Sequence, residues 1–156
     1  MERIAIFPGT FDPPTLGHHD IIERAVKMFD KVYLGVGENS SKNNLLPFEQ
    51  RVALLNEIYQ DNDKIQVEGY HELTVNFCKK IGAKFIIRGL RSATDFDYER
   101  NIAEMNFQLE GSIDTVFLIS RPQYAAINSS IVREILKNGG NISQFVPNIV
   151  SQLIKL

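Results

Sequence analysis

The 156-residue sequence contains no tryptophan and a single cysteine. With Cys78 alone, neither an intrachain disulfide nor a cysteine-built zinc site can form, and a small buried hydrophobe is the expected role of that side chain. No run of about 18 apolar residues is present to span a bilayer. Met1-Glu2-Arg3-Ile4 enters an apolar run without the basic-then-hydrophobic layout of a signal peptide. The expectation is a cytoplasmic protein with no membrane partner. Basic residues are not in excess either: Lys and Arg total 17 against 19 Asp and Glu, a formal charge of −2. That argues against a nucleic-acid partner, which needs Lys and Arg gathered on one face. An anionic ligand must then be held by a few local positive groups, which makes their placement informative.

What is present is the composition of an ordinary globular protein, 44% hydrophobic and 23% charged, in a length that fits one domain over 1–156. Short, β-branched-rich apolar runs at Ile4 to Phe7, Val32 to Val36, Ile65 to Val67, Lys84 to Ile87 and Thr115 to Ile119 have strand length. Helical spacing lies between them: Ile21, Ile22, Ala25, Val26 and Phe29; Val52, Leu55 and Tyr59; Leu73 and Phe77; Tyr98, Ile102, Met105 and Leu109. Two closing helices are expected over 129–137 and 147–156, separated by Gly139-Gly140-Asn141. Pro47 suits the first turn of the second helix. Near-continuous hydrophobic strands alternating with helices predict an α/β fold: a Rossmann-like, doubly wound, five-stranded parallel sheet with helices on both faces.

The first strand runs into Pro8-Gly9-Thr10-Phe11-Asp12-Pro13-Pro14-Thr15-Leu16-Gly17-His18, and a helix follows at once. A helix N-terminus offers free N–H groups and a positive dipole end to an anion, Gly17 permits close approach, and His18 on the first turn faces the same anion. The segment is neither G-x-G-x-x-G nor a Walker A loop, so nicotinamide binding and P-loop hydrolysis lose their main support. Taken alone, it also reads as a proline-rich turn with a surface histidine. Arg88 and Arg91 at the end of the fourth strand present guanidinium forks suited to phosphate, or salt-bridge to Asp95, Asp97 or Glu99 nearby. Ser129 and Ser130 open the helix after the fifth strand, as caps or as an anion site.

Thr10 and His18 follow strand one, Lys42 strand two, Glu72 to Thr74 strand three, Arg88 and Arg91 strand four, and Ser129 and Ser130 strand five. In an open parallel sheet these share the carboxyl edge, where ligands bind. His19, beside His18, must point elsewhere, and His71 lacks a partner at metal-ligand spacing. Phe85 and Phe117 belong to core strands. Phe96 and Phe107, off the main stripe of their helix, suit a subunit interface.

These residues, from Gly9-Thr10-Phe11-Asp12-Pro13 and Thr15-x-Gly17-His18 through Lys42, Arg88-Gly89-Leu90-Arg91 and Asp95-Phe96-x-Tyr98-Glu99 to the Ser129-Ser130 helix start, resemble the bacterial phosphopantetheine adenylyltransferases over the whole chain. The Thr-x-Gly-His element is shared with other nucleotidyltransferases and, in related form, with class I aminoacyl-tRNA synthetases; the other two motifs narrow the resemblance. It implies transfer of an adenylyl group from ATP to 4′-phosphopantetheine, giving dephospho-coenzyme A. It implies His18 as transition-state stabiliser, with Thr10, Lys42 and Arg88 in the catalytic set. Thr10, Lys42, Thr74 and Arg88 would hold phosphopantetheine. Thr10, Phe11, His18, Gly89, Leu90, Arg91, Glu99, Tyr124, Ala125, Ala126, Ile127, Asn128, Ser129 and Ser130 would hold ATP. A Mg²⁺ requirement and a homohexamer are implied as well. Thr74, Glu72 and Asn128 stand where the family commonly has an apolar residue, Asp and serine.

No general base stands against His18, and none is needed, because a phosphate monoester with a second pKa near 6 is already an anionic nucleophile at pH 7. Fixed cationic donors, His18, Lys42 and Arg88, would stabilise the α-phosphate and the leaving pyrophosphate. Without an Asp-rich cluster, Mg²⁺ is expected on ATP phosphates and water rather than on protein ligands. The rivals are another adenylyl- or cytidylyltransferase, such as one acting on nicotinate mononucleotide, and a non-catalytic ATP-sensing module. An aminoacyl-tRNA synthetase lacks room here for anticodon recognition.

Overall fold

The computed structural model describes residues 1–38 and 44–154. All expected strands form: β1 (Ile4–Gly9), β2 (Lys31–Gly37), β3 (Ile65–Tyr70), β4 (Phe85–Leu90) and β5 (Asp114–Ile119), in one parallel sheet of order β3-β2-β1-β4-β5. Lys84 falls just outside β4, and β4 runs on through Leu90, so Arg88 sits on the strand and Arg91 just past it.

The helices among the described residues are α1 (Leu16–Met28), α2 (Phe48–Tyr59), α3 (Thr74–Ile81), α4 (Ala93–Leu109), α5 (Ser129–Lys137) and α6 (Asn148–Leu153), with a 3-10 turn at Pro122–Tyr124. Pro47 is the N-cap of α2 rather than part of its first turn. Leu73 and Phe29 cap α3 and α1 instead of lying within them. A left-handed Gly82 closes α3 at φ 73°, a conformation that costs a residue with a Cβ.

Alternate strand residues pack on opposite faces. Ala5, Phe7, Leu34 and Ile87 meet Ile22, Ala25 and Leu55 from α1 and α2, whereas Ile6, Tyr33 and Ile86 meet Val75, Phe77 and Cys78 of α3. Cys78 is buried, as expected, and burial pushes its thiol up to about 11. A third apolar cluster joins Leu54 of α2 to Val132, Leu136 and Val150 of the closing helices and to Val146 between them.

Helix α4 departs from expectation. Its stripe was expected to face the core, yet Tyr98 is 67% exposed, Met105 57% and Leu109 58%, and Glu99 is the residue of this helix that is buried. Phe96 meets Phe117 edge-on at 5.8 Å, but the side turned to the sheet is mainly polar and its apolar side is left uncovered.

The sheet is not uniformly paired. β1 keeps register with β2 from Ile4↔Lys31 to Gly9↔Val36, and β4 with β5 from Phe85↔Asp114 to Leu90↔Ile119. Between β1 and β4 the register covers Ala5↔Phe85 and Ile6↔Ile86 and then stops. Past that point the two central strands diverge towards their carboxyl ends, where the chain order reverses direction across the sheet.

Candidate active site

The divergence of β1 and β4 opens a crevice of about 570 Å³, within the range of small-molecule sites. Phe7, Pro8, Gly9 and Thr10 line it from β1, and Arg88, Gly89 and Arg91 from β4. Gly37, Glu38, Tyr70 and Thr74 close it on the β2–β3 side; Ser120, Ile127, Asn128 and Ser129 close it on the β5 side. Gly17 and His18 stand at the opening of α1 between these walls.

The His18 ring is fixed by its own helix cap. Thr15 is the N-cap of α1: its hydroxyl accepts the His18 N–H at 3.3 Å, and its backbone N–H donates to His18 Nδ1 at 3.0 Å. With Nδ1 committed as an acceptor, the proton of a neutral imidazole resides on Nε2. Burial, helped by the positive Arg88 and Arg91, pulls the His18 pKa down to about 4. At neutral pH His18 is therefore an uncharged N–H donor, not the cation expected from sequence. Beneath it, Phe11 packs at 4.9 Å from the imidazole and 5.7 Å from Phe7. Phe11 takes a left-handed φ of 51°, unusual for a non-glycine residue and held by this packing.

Arg88 bridges the split. Its Nη1 donates to the Pro8 carbonyl at 2.8 Å, while Nε and Nη2 form a fork on Glu99 at 2.8 and 2.6 Å. Arg91 donates from Nε to Asp95 at 3.0 Å. The salt-bridging alternative open in the sequence thus describes both arginines. These bonds use three of the five N–H donors of Arg88, and the remaining two have no partner among the described residues.

On the β5 side, Asn128, not a serine, is the N-cap of α5, accepting the Ile131 N–H at 2.9 Å. The Ser129 hydroxyl donates to the Pro13 carbonyl at 2.8 Å, and Ser130, exposed, meets Arg133. A Cβ at Gly17 would lie 3.4 Å from the Ile127 carbonyl and 3.8 Å from that of Tyr124, ordinary contact distances, so α1 and the 124–127 segment pack closely here without demanding glycine. Asp20 of α1 steadies this wall through Arg121 at 3.2 Å and Arg24 at 3.1 Å, with Arg24 also donating to the Ile119 carbonyl.

Of the residues expected from sequence, the structure brings Thr10, His18, Thr74, Arg88, Gly89, Arg91, Glu99, Ile127, Asn128 and Ser129 to one crevice. Phe11 and Leu90 are buried behind its wall, and Tyr124, Ala125, Ala126 and Ser130 stand outside its immediate lining. Lys42 lies outside the described residues. Tyr70, whose hydroxyl meets Thr74 Oγ1 at 2.9 Å, and Asn106 of α4 were missed. Glu99, Ile102, Ala103 and Asn106 follow helical spacing and line the crevice together. That spacing was visible, but Ile102 had been assigned to a core stripe. His19 turns away to Tyr59 at 3.0 Å and His71 to Glu38 at 2.7 Å, neither in a metal cluster among the described residues.

A model of the cytidylyltransferase-like family matches residues 6–135. A phosphopantetheine adenylyltransferase of Lachnoclostridium phytofermentans is 50% identical over 152 residues, covering 97% of this chain and 93% of its own. One of Christiangramia forsetii is 46% identical over 146 residues, 94% of this chain and 96% of its own. The chain belongs to the phosphopantetheine adenylyltransferase family. It is a nucleotidyltransferase enzyme, as its motifs predicted. Among solved structures, a Vibrio parahaemolyticus protein described as a nicotinate-nucleotide adenylyltransferase superposes with a TM-score of 0.73 at 24% identity, over 98% of each chain, a likeness of fold.

Proposed function

We propose that the protein transfers the adenylyl group of ATP to 4′-phosphopantetheine, giving dephospho-coenzyme A and pyrophosphate. The observation that carries this reading is the His18 ring, fixed by Thr15 with its Nε2 free of the cap at the point where β1 and β4 part. In the reaction, an oxygen of the acceptor phosphate attacks the α-phosphorus of ATP, the bond to the bridging oxygen breaks, and pyrophosphate carries that electron pair away. The acceptor is anionic at pH 7, so no side chain need remove a proton. His18 Nε2–H donates to the α-phosphoryl oxygens as charge shifts there, which stabilises the transition state more than the ground state. Arg88 offers its two remaining N–H groups to the acceptor phosphate, with Thr10 and Thr74 in the same half, and the family resemblance adds Lys42 as a further cationic donor. ATP occupies the side of Gly89, Arg91 and residues 124–130.

Among the described residues no three His, Cys, Asp or Glu side chains gather to hold a metal, and the crevice carboxylates Glu38, Asp95 and Glu99 are held by His71, Arg91 and Arg88. In this reading ATP enters as its Mg²⁺ complex, with the ion on its phosphates and water. The uncovered apolar side of α4, with Tyr98, Met105 and Leu109, supports a homo-oligomer, a homohexamer in our reading. A cytoplasmic location belongs to the same reading; no described helix is long and apolar enough to cross a membrane.

The test is pyrophosphate release from Mg·ATP with 4′-phosphopantetheine, with nicotinate mononucleotide and with no acceptor. Release with phosphopantetheine alone is expected. Release with nicotinate mononucleotide alone would overturn the acceptor.

A further inference from the structure

Behind Thr10, helix α2 carries a guanidinium that neither the crevice chemistry nor the motifs account for. Arg51 is 0% exposed, and burying a cation is costly unless the surroundings repay it. Its hydrogen bonds go to backbone carbonyls: Nε to Leu46 at 3.2 Å, and Nη1 to Thr10 at 2.6 Å and to Gly37 at 3.2 Å. Among the described residues Nη2 is buried without a partner. The three carbonyls belong to the end of β1, the end of β2 and the loop entering α2. A rigid planar fork can hold the three together, and an ammonium at the end of a flexible stem cannot span them in the same way.

Asp12 works on the same loop from the other side. It is 2% exposed, and its two carboxylate oxygens accept the N–H groups of Leu45 and Leu46, both at 2.8 Å. Arg51 thus holds the carbonyl of Leu46 while Asp12 holds its N–H. Thr10, Gly37 and Glu38 line the crevice; Arg51 itself does not. The consequence of the clamp is therefore felt in the β1–β2 wall, on the side we assign to the acceptor phosphate.

We propose that Arg51 is a positioning residue of the reaction, fixing Thr10 and the Gly37–Glu38 edge in the geometry that receives the acceptor. This rests on the acceptor reading above, and it acts through the fork rather than the charge. A misplacement of about 1 Å in such a wall is enough to cost up to a hundredfold in rate.

The experiment compares wild type with Arg51→Lys, which keeps the charge, and Arg51→Met, which keeps volume alone. Ile113→Ala serves as a stability control, since Ile113 is 2% exposed in the α3-side cluster away from the crevice. Kinetics are measured well below each Tm. Both Arg51 variants are expected to lose about tenfold or more in kcat and to raise KM for 4′-phosphopantetheine about fivefold, with KM for ATP within about twofold. If Arg51→Lys behaves as Ile113→Ala does, with lower Tm but unchanged kcat and KM values, Arg51 is a core tie and the proposal falls. A full return of activity in Arg51→Lys would overturn the fork. Should both variants be unfolded, Asp12→Asn must show the same split, and a change in Tm alone would overturn the clamp. Hydrogen exchange in the free protein separates the clamp from the choice of acceptor. Faster exchange in Arg51→Lys confined to peptides over 8–12, 35–38 and 44–47 supports the clamp even if wild type is inert toward 4′-phosphopantetheine, a result that overturns the acceptor alone. Uniform acceleration across the sheet overturns the clamp.

Discussion

Strand β1 is bordered by two ladders of unequal length. Against β2 it stays paired to Gly9, and its backbone groups are consumed along the way. Against β4 the register ends at Ile6↔Ile86, which leaves the buried Pro8 carbonyl to be met by the Arg88 side chain instead of by a strand. The long ladder makes a rigid edge that meets the crevice only at its carboxyl end, through Gly9, Gly37 and Glu38. The short one turns backbone demand into a place for side chains, and the crevice, His18 and the Arg88–Glu99 pair all lie there. Changes at the gap should therefore alter turnover, and changes along the β1–β2 ladder should alter stability.

The largest effect is expected at the gap. His18→Ala removes a donor fixed at its mouth and should lower kcat by about a hundredfold to a thousandfold, with KM for ATP little changed. Steady-state kinetics with ATP varied at saturating acceptor give the split. A rise in KM alone would mean that His18 binds ATP without stabilising the transition state.

On the paired side the reverse should hold. Leu34 of β2 is fully buried against α1 and α2, and Leu34→Ala should cost about 3 kcal/mol in urea unfolding from lost burial and the cavity left behind. Its kcat, measured well below the melting transition, should stay within about twofold of wild type. A loss of turnover comparable to that of His18→Ala would dissolve the contrast between the ladders.

Acid should weaken the gap before the rest of the fold. His18 is held neutral in the folded protein down to a pKa of about 4, whereas in the unfolded chain it takes up a proton near 6.5. Between these values the unfolded chain binds the proton and the folded one does not, so stability is full above about pH 6.5 and falls towards pH 4, by up to about 3 kcal/mol. Urea midpoints from pH 7 to pH 4 should fall more steeply for wild type than for His18→Asn. Parallel curves would show that the imidazole is not kept neutral by the fold. The acid limb of turnover should instead follow the acceptor phosphate near pH 6.

Glu99→Gln probes the bridge itself. It keeps the volume of the side chain but removes the charge and one of the two acceptor oxygens of the fork on Arg88, and should cost about 2 kcal/mol of stability and roughly tenfold in kcat. Urea unfolding and kinetics on the same preparation check both. Full activity would mean that Arg88 is placed by Pro8 alone.

The strands were legible because parallel strands buried on both faces read as continuous apolar runs, and Ile4 to Phe7 or Val32 to Val36 could hardly be anything else. The shared edge followed from topology, and with it the meeting of Thr10, His18, Arg88 and Ser129. The early end of the β1–β4 ladder was not legible, because pairing register depends on packing from both sides of the sheet. Helix α4 misled because an apolar stripe looks the same whether it meets this chain's core or is left uncovered, as Tyr98 and Met105 are. The charge of His18 was misjudged since neither its burial nor the hydrogen bond from Thr15 can be read from composition. Arg51 was missed, because nothing in Phe48-Glu49-Gln50-Arg51 marks a guanidinium that the fold buries.

The smallest effect is expected farthest from the gap, where the contrast should fade. Asn128 stands where relatives of this family were expected to carry a serine, and its side chain accepts the Ile131 N–H at the start of α5. Asn and Ser are nearly equal as N-caps, because each places one oxygen within reach of an orphan N–H, whereas Ala has none to offer. Asn128→Ser should therefore change stability by no more than about 0.5 kcal/mol and Asn128→Ala should cost about 1 kcal/mol, with KM for ATP moving less than about threefold in either. Urea unfolding and an ATP titration decide it. If Asn128→Ser weakens ATP strongly while leaving stability alone, the amide itself meets the nucleotide, and the cap is not the reason asparagine serves at this position.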